Sequence, residues 1–211
     1  MLAGMFAPRG GGSPPPTFAR WSTTDKSAQI VLSGSDLIAT LASPVSYYNT
    51  GRADIALTGK SYWEVSLSRL SGHAAGDNVG VGIATSSLAT TGGSGTTGYL
   101  GGNTTSTGLW DDGSVVRGNA VVTTAILPSD PITCQFAFDE PNLRLWIGVI
   151  GLGWIGGGNP ATNTLPTINM AAGSYFPAWC GTNNTQAVNA NFGQGSFAGA
   201  VPSGYKAGVY S

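Results

Sequence analysis

The chain has 211 residues and a formal net charge of −1, and 41% of its residues are hydrophobic while only 9% are charged. This length is sufficient for one large domain with a full hydrophobic core, and the composition excludes a disordered chain. Because no basic surface is available to neutralise phosphates, we expect no nucleic-acid binding.

The first part of the chain, residues 1–17, is predicted to form an extended arm ahead of a domain at 18–211. Gly10–Gly12 provide flexibility, whereas Pro14–Pro16 favour a stiff, extended backbone. Apolar side chains stand near the start of the arm: Met1, Leu2, Met5 and Phe6. Two interpretations remain open, a frayed terminus or an anchor that docks on a neighbouring subunit. We expect neither a signal peptide nor a membrane span, because a charged region followed by an apolar one is missing before Arg9 and no apolar run approaches roughly 18 residues.

Short segments with alternating apolar and polar residues follow one another after residue 18, which is the period of two expected of strands. The clearest of them, in chain order, are Ala28–Ser33, Tyr62–Leu67, Val79–Ala84, Ile132–Phe138, Leu143–Ile150 and Ala187–Phe192. The chain also holds 33 Gly and 12 Pro residues, which are typical of turns. No segment shows a convincing helical repeat, so the pattern predicts an all-β sandwich or barrel.

Three of these strands carry more specific expectations. In the second, Trp63 and Val65 are predicted to face the core, with Tyr62 and Glu64 on the other side. In the third, glycines alternate with core-facing Val and Ile, which leaves a flat face where backbone or a bulky side chain can pack closely. In the fifth, Trp146 lies opposite the core face, and we expect a loop or terminus to cover it.

Catalytic chemistry has little support in the sequence. Cys134 shares a strand face with apolar residues and is predicted to be a buried free thiol, although pairing with Cys180 stays open. His73 lies in a polar turn, where we expect a solvated side chain rather than a base. Asp111 and Asp112 are neighbours and therefore do not form the facing carboxylate pair of glycoside hydrolysis. We expect no catalytic residue, no metal and no cofactor.

Five short motifs stand in a characteristic order: GKSYWEV (59–65), VGVGIA (79–84), GLWDDGSV (108–115), FAFDEPNLRLWIG (136–148) and NFGQGSF (191–197), followed by PSGY. In these motifs the chain resembles the SPRY, or B30.2-type, domain family over roughly Trp21–Gly208. The stretch WIGGGNPATNT (154–164) is similar to the variant found in bacteriophage and bacterial proteins. One departure concerns a hairpin that in many members reads Lys-Asn-Gly, where this chain has GVIGLGW (148–154).

The resemblance implies a concanavalin-like antiparallel β-sandwich, or jelly roll, that binds partners instead of catalysing a reaction. Family members present ligands with loops at one edge of the sandwich. The residues in or beside such loops that we select as binding candidates are Tyr99, Trp110, Asp111, Trp154, Trp179 and Asn183. Trp179 is similar to a tryptophan that lines the peptide pocket in some members. A second interpretation stays open for each ring, namely that it closes the sandwich core.

Two hypotheses about function follow. The first is a structural protein of a bacteriophage virion, a capsid decoration or a tail or fibre component, which is held to other virion proteins by its arm and is made without a signal peptide. The second is a peptide- or glycan-binding module that recognises a host-surface protein or glycan through its loops. An enzyme such as a polysaccharide depolymerase ranks third. Because symmetric assembly is common, we also expect a homo-oligomer.

Overall fold

The structure is a computed structural model, and it describes residues 15–43, 47–68, 79–91, 98–128, 131–182 and 186–211. In the described part of the chain the strands are β1 Trp21–Lys26, β2 Ile30–Ser33, β3 Ile38–Leu41, β4 Asn49–Ala53, β5 Lys60–Ser68, β6 Gly80–Thr85, β7 Ser106–Trp110, β8 Ser114–Arg117, β9 Ala120–Thr124, β10 Ile132–Asp139, β11 Arg144–Val149, β12 Gly153–Trp154, β13 Ile168–Asn169, β14 Tyr175–Gly181, β15 Ala187–Asn191 and β16 Lys206–Ala207. Three single-turn 3₁₀ helices at Glu140–Asn142, Ile155–Gly157 and Pro160–Thr162 complete these elements. No helix among the described residues has the length and hydropathy to cross a membrane.

The strands form two sheets that pack face to face. One sheet has the order β1-β4-β14-β6-β7-β8-β9, and the other has the order β12-β11-β10-β5-β15-β3-β2, with β13 on β11 and β16 on β5. All pairs are antiparallel except the short pairing of β16 with β5. The expected all-β antiparallel sandwich is therefore confirmed, and all six predicted strand segments are strands with boundaries shifted by a few residues.

The core between the sheets contains large apolar side chains from both layers. Trp63 of β5 stands opposite Phe136 of β10, and their rings stack with centroids 5.2 Å apart and planes 11° apart. Both rings are fully buried, as are the neighbouring side chains of Val65 and Leu67 at 1% and 0% exposure. The prediction that this face of β5 forms the core is confirmed.

The period of two predicts one buried face for β5, with Tyr62 and Glu64 on the other side, but the structure buries this opposite face as well. Glu64 is only 4% exposed. Its carboxylate accepts hydrogen bonds from the Tyr62 hydroxyl at 2.6 Å and from the backbone N–H groups of Ala198 and Gly199 at 2.9 and 2.7 Å. The segment after β15 thus folds back over the outer face, and its backbone donors compensate the buried carboxylate.

The predicted cover over Trp146 is confirmed. This side chain is fully buried on the outer side of β11. Its indole N–H donates to the carbonyl of Thr164 at 2.8 Å, and a Cβ added to Gly158 would approach the indole ring to 2.8 Å. The loop after β12 therefore seals this tryptophan through both a hydrogen bond and close backbone packing.

Both cysteines are buried free thiols, so Cys134 and Cys180 do not pair. Burial raises the pKa of Cys134 to about 12. The pKa of Cys180 is also raised to about 12, and burial is the largest cause. The free-thiol interpretation of Cys134 is confirmed, and both groups are protonated thiols at neutral pH.

Candidate binding site

Loops and strand ends on the seven-stranded sheet line an open cavity of about 240 Å³, which we call the aromatic pocket. Its lining residues are Tyr48, Tyr99, Trp110, Asp111, Asp112, Ser114, Val116, Asn119 and Val121. They come from four places in the chain: the residue before β4, the loop between β6 and β7, the end of β7 with its turn into β8, and β8 with its turn and the start of β9. Strand order therefore assembles a site that is dispersed in sequence.

Three aromatic rings in the pocket contact one another. The ring centroids of Tyr48 and Tyr99 lie 4.9 Å apart, those of Tyr48 and Trp110 5.5 Å, and those of Tyr99 and Trp110 5.6 Å. The planes of the latter two pairs are inclined by 75° and 71°, an edge-to-face arrangement favoured by aromatic quadrupoles. The rings thus form a mutually supporting cluster rather than a flat platform.

The indole of Trp110 is held in place from two sides. Its N–H donates to the carbonyl of Leu100 at 3.2 Å. Its ring lies on the flat face of β6, where a Cβ added to Gly80 would meet two indole atoms at 3.1 Å. This contact confirms the expectation that a bulky side chain packs on the glycine face of this strand. Trp110 is only 6% exposed.

The tight β7–β8 turn fixes the two carboxylates. Gly113 has φ of +88°, and its N–H donates to the carbonyl of Trp110 at 2.9 Å. One oxygen of Asp112 accepts from the backbone N–H and the hydroxyl of Ser114 at 2.8 and 2.6 Å. Asp111 is 2% exposed, whereas Asp112 is open to solvent. The turn therefore presents one buried and one exposed carboxylate to the same cavity.

A second turn positions Tyr99. Its hydroxyl donates to the side-chain oxygen of Asn119, which has φ of +62° in the β8–β9 turn. The backbone N–H of Asn119 donates in turn to the carbonyl of Gly101 at 2.7 Å. Burial raises the pKa of Tyr48 and Tyr99, with a further contribution to both from Cys180, so both phenols stay neutral at physiological pH.

The structure brings together three of the six binding candidates chosen from sequence, which are Tyr99, Trp110 and Asp111. Trp154 lies on the other sheet, half-buried, with its ring centroid 6.4 Å from that of Tyr62. Asn183 is outside the described residues, as are the arm residues Met1, Leu2, Met5 and Phe6 and the turn residue His73.

Of the two interpretations left open for Trp179, the structure supports the one in which its ring closes the sandwich core. Trp179 lies in β14 instead of an edge loop, is 1% exposed and belongs to the core between the sheets. A side chain in that position has no surface for a partner, and we remove it from the candidate site. Sequence reasoning missed Tyr48 and Asn119, because nothing in their local sequence indicates that they meet a loop located about 50 and 20 residues away, respectively.

A second surface feature, which we call the apolar patch, lies where the edge of β9 approaches β12. It comprises Val122, Ile126, Leu152 and Leu165, which are 51%, 91%, 58% and 65% exposed. Two cavities of about 280 and 220 Å³ lie among these side chains, and Ile155 and Gly156 line both of them. None of the residues that line the two cavities is charged. Apolar surface of this kind is typical of interaction sites.

Among the described residues, no group of three His, Cys, Asp or Glu side chains is arranged to hold a metal ion. The polar and aromatic groups that line the aromatic pocket are three aromatic rings, two aspartate carboxylates and the side-chain amide of Asn119, together with the hydroxyl of Ser114. Such a set can recognise a ligand through packing and electrostatics.

Comparison with solved structures shows the fold. The SPRY domain of human HERC1 superposes with a TM-score of 0.62 and 11% identity over 83% of this chain and 99% of that domain. The TRIM65 PSpry domain superposes with a TM-score of 0.60 and 12% identity over 83% of this chain and 90% of that domain. Stonustoxin superposes with a TM-score of 0.59 and 15% identity over 83% of this chain. The match covers only 27% of the stonustoxin chain, so the likeness concerns one part of that protein. No family model and no curated protein matches the sequence. The chain has the SPRY-type β-sandwich fold, while the bacteriophage variant stays a prediction.

Proposed function

We propose that this chain is a non-enzymatic protein-interaction module and that the aromatic pocket is its contact site for a partner. The observation that carries the proposal is a cavity of about 240 Å³ in which three aromatic rings from separate parts of the chain and the two aspartates of the β7–β8 turn converge. Aromatic side chains provide large contact areas at low entropic cost, and they are enriched where proteins recognise one another. The resemblance to SPRY domains, which usually bind partners through loops, supports the same function.

Selection from a random displayed peptide library tests this proposal, because the library itself supplies the ligands. The full chain is used to select binders, and the enriched peptides are measured by calorimetry against variants. Tyr48→Ala removes one wall of the pocket and should weaken binding at least tenfold. Tyr47→Ala is the matched control, because Tyr47 is an adjacent, equally half-buried tyrosine that does not line the pocket. Equal binding to both variants, or no enrichment of any peptide, would contradict the proposal.

A second candidate function is that of a subunit in a larger particle, such as a bacteriophage virion. The apolar patch favours it, because an uncharged, exposed apolar surface next to an edge strand is a surface that assembly would cover. We assign the patch to residues 1–14 of a neighbouring copy. Those residues include four large apolar side chains and one charge, Arg9, and they could extend over about 46 Å.

The geometry of the sheet is the reason for choosing a neighbouring copy. Residues before Phe18 enter beside β1, which is one edge of the seven-stranded sheet, whereas β9 is the opposite edge. Six strand spacings, or about 29 Å, separate these two edges across the sheet. The path from β1 to the patch is longer still, because the chain must also turn around the edge of the sheet. Because a segment that starts on the far side must cross this distance to reach the patch of its own molecule, we propose the patch of an adjacent copy as its site.

Light scattering on the full chain tests this assembly. We expect Val122→Asp to reduce the particle mass toward the 21.4 kDa of one chain. Val31→Asp should leave the mass unchanged, because Val31 is 48% exposed on β2, an edge strand of the other sheet far from the patch in strand order. The double change Met5→Asp and Phe6→Asp should act like Val122→Asp. Association that survives this double change would show that the arm is not the occupant, and absence of the chain from purified particles would contradict a virion role.

A further inference from the structure

The ionisable side chains that line the aromatic pocket include acidic groups and no basic ones. Its lining includes the carboxylates of Asp111 and Asp112 and no lysine, arginine or histidine. In the whole sequence only 10 residues are acidic, so two of them at one cavity is a notable concentration. Asp111 is 2% exposed, whereas the carboxylate of Asp112 is open to solvent, where an incoming ligand can meet it directly. An anionic ligand would be repelled here.

The aromatic rings that line the pocket also attract positive charge. The faces of tyrosine and tryptophan rings carry negative electrostatic potential, which attracts cations within about 6 Å of the ring centre. The three rings of the pocket contact one another, with centroids no more than 5.6 Å apart, so they present one continuous aromatic cluster to a guest in the cavity. The raised pKa values of Tyr48 and Tyr99 keep both phenols neutral.

We infer that the aromatic pocket takes a cationic side chain, an arginine or lysine of a protein partner, and this inference rests on the proposed function. A guanidinium or ammonium group is small enough for a cavity of about 240 Å³, and its stem packs on the rings. The exposed carboxylate of Asp112 meets the incoming charge at the mouth, in an orientation held by its two hydrogen bonds from Ser114. A neutral sugar would use the rings but would bring no positive charge to this carboxylate.

Two capped pentapeptides test the inference: a central arginine flanked by glycines, and the same peptide with citrulline, which has nearly the same shape without the charge. Binding to the full chain is followed by amide chemical shifts of residues 110–119 in NMR titrations. We expect the arginine peptide to bind at least fivefold tighter than the citrulline peptide, with a difference that shrinks as salt is added. Asp112→Asn should weaken arginine binding about fivefold and leave citrulline binding unchanged. Tyr47→Ala should change neither.

Equal binding of the two peptides, or binding of neither at millimolar concentration, would overturn the inference. A methyl glycoside that shifts the pocket amides when the arginine peptide does not would assign the pocket to a sugar instead. The proposed function is judged separately: if library-selected peptides without Arg or Lys still lose binding on Tyr48→Ala, the interaction module stands and only the cationic preference is wrong. If Tyr48→Ala affects no peptide at all, both fail.

Discussion

The indole of Trp110 rests on the bare backbone of Gly80, with only 3.1 Å between a Cβ built on that glycine and two atoms of the ring. The two residues belong to β7 and β6 and stand directly opposite in the ladder. The floor of the aromatic pocket therefore depends on a missing side chain in the neighbouring strand. Gly80, one of the glycines predicted to leave a flat strand face, thus positions the central ring of the site.

Gly80→Ala should move that ring. The added methyl group is too close to the indole to fit without a shift, so we expect a loss of about 1–2 kcal/mol in the free energy of unfolding and weaker binding of pocket ligands. Denaturant unfolding and peptide titration measure the two effects. Gly195→Ala is the control, since a Cβ there would have its nearest neighbour at 3.9 Å. Unchanged binding with Gly80→Ala would mean that the ring position is irrelevant to the site.

Glu64→Ala should be among the most damaging single polar changes. The carboxylate satisfies the Tyr62 hydroxyl and two backbone donors beneath the folded-back segment, and its loss leaves buried donors without an acceptor. We expect a cost of about 3 kcal/mol in the free energy of unfolding. Glu140→Ala removes a carboxylate that, within the described part of the chain, accepts one long hydrogen bond, from Gly59 at 3.4 Å, and it should cost less than about 1 kcal/mol. Similar costs for both would show that Glu64 does not anchor the segment.

Trp179 and Trp154 are both binding candidates from the sequence, but their replacement by alanine should lower thermal stability by different amounts. Trp179 is in the core, so Trp179→Ala should cost about 4 kcal/mol and lower the Tm by roughly 10 °C. Trp154 is half-buried at the edge of the other sheet, and Trp154→Ala should cost about 1 kcal/mol. Calorimetric melting of both variants checks this order. A reversed order would contradict the placement of β14.

The buried thiols predict a loss of stability at alkaline pH. Burial raises the pKa of Cys134 from 9.0 to about 12, so the folded chain keeps this proton after the unfolded chain has released it. The stabilisation is therefore complete below pH 9 and declines as the pH rises toward 12, by at most about 1.4 kcal/mol per pH unit for one thiol. Cys134→Ala should give a shallower decline of the unfolding free energy over this range. Parallel curves for the two proteins would contradict the assignment.

The regular part of the fold could be predicted because alternation of apolar residues is a local signal. The strands around Trp63 and Phe136 show it clearly, and each faces the core as predicted. β4 could not be predicted in this way, since its sequence NTGRA is polar although all five residues are buried. Arg52 is accommodated there by a paired hydrogen bond to Asp25 and a third to the carbonyl of Leu88, partners 27 and 36 residues away.

β14 was missed for a different reason. Pro177 interrupts its sequence, and proline is normally absent from central strands because it cannot donate to the ladder. In the structure Pro177 stands opposite Ile83 of β6, whereas pairing with β4 begins only at Ala178. Pro177, which has no N–H to donate, thus lies at a position where β14 is paired with β6 on one side and has no paired residue of β4 on the other. Without this long-range information the sequence that starts at Trp179 indicates a loop.

The binding site was half predictable. Aromatic residues in loops indicate recognition, and Tyr99, Trp110 and Asp111 were selected on that basis. Tyr48 and Asn119 complete the pocket only because β4, β8 and the loop before β7 meet in space. That convergence is set by strand order, which local sequence does not encode.

Hydrogen exchange on the full chain with a library-selected peptide tests most directly that the aromatic pocket is the contact site. We expect bound peptide to slow amide exchange in residues 98–119 and at 47–50, and to leave residues 152–166 beside the apolar patch unchanged. Protection confined to 152–166 and the edge of β9, with the pocket loops unaffected, would contradict the assignment and place recognition on the apolar patch.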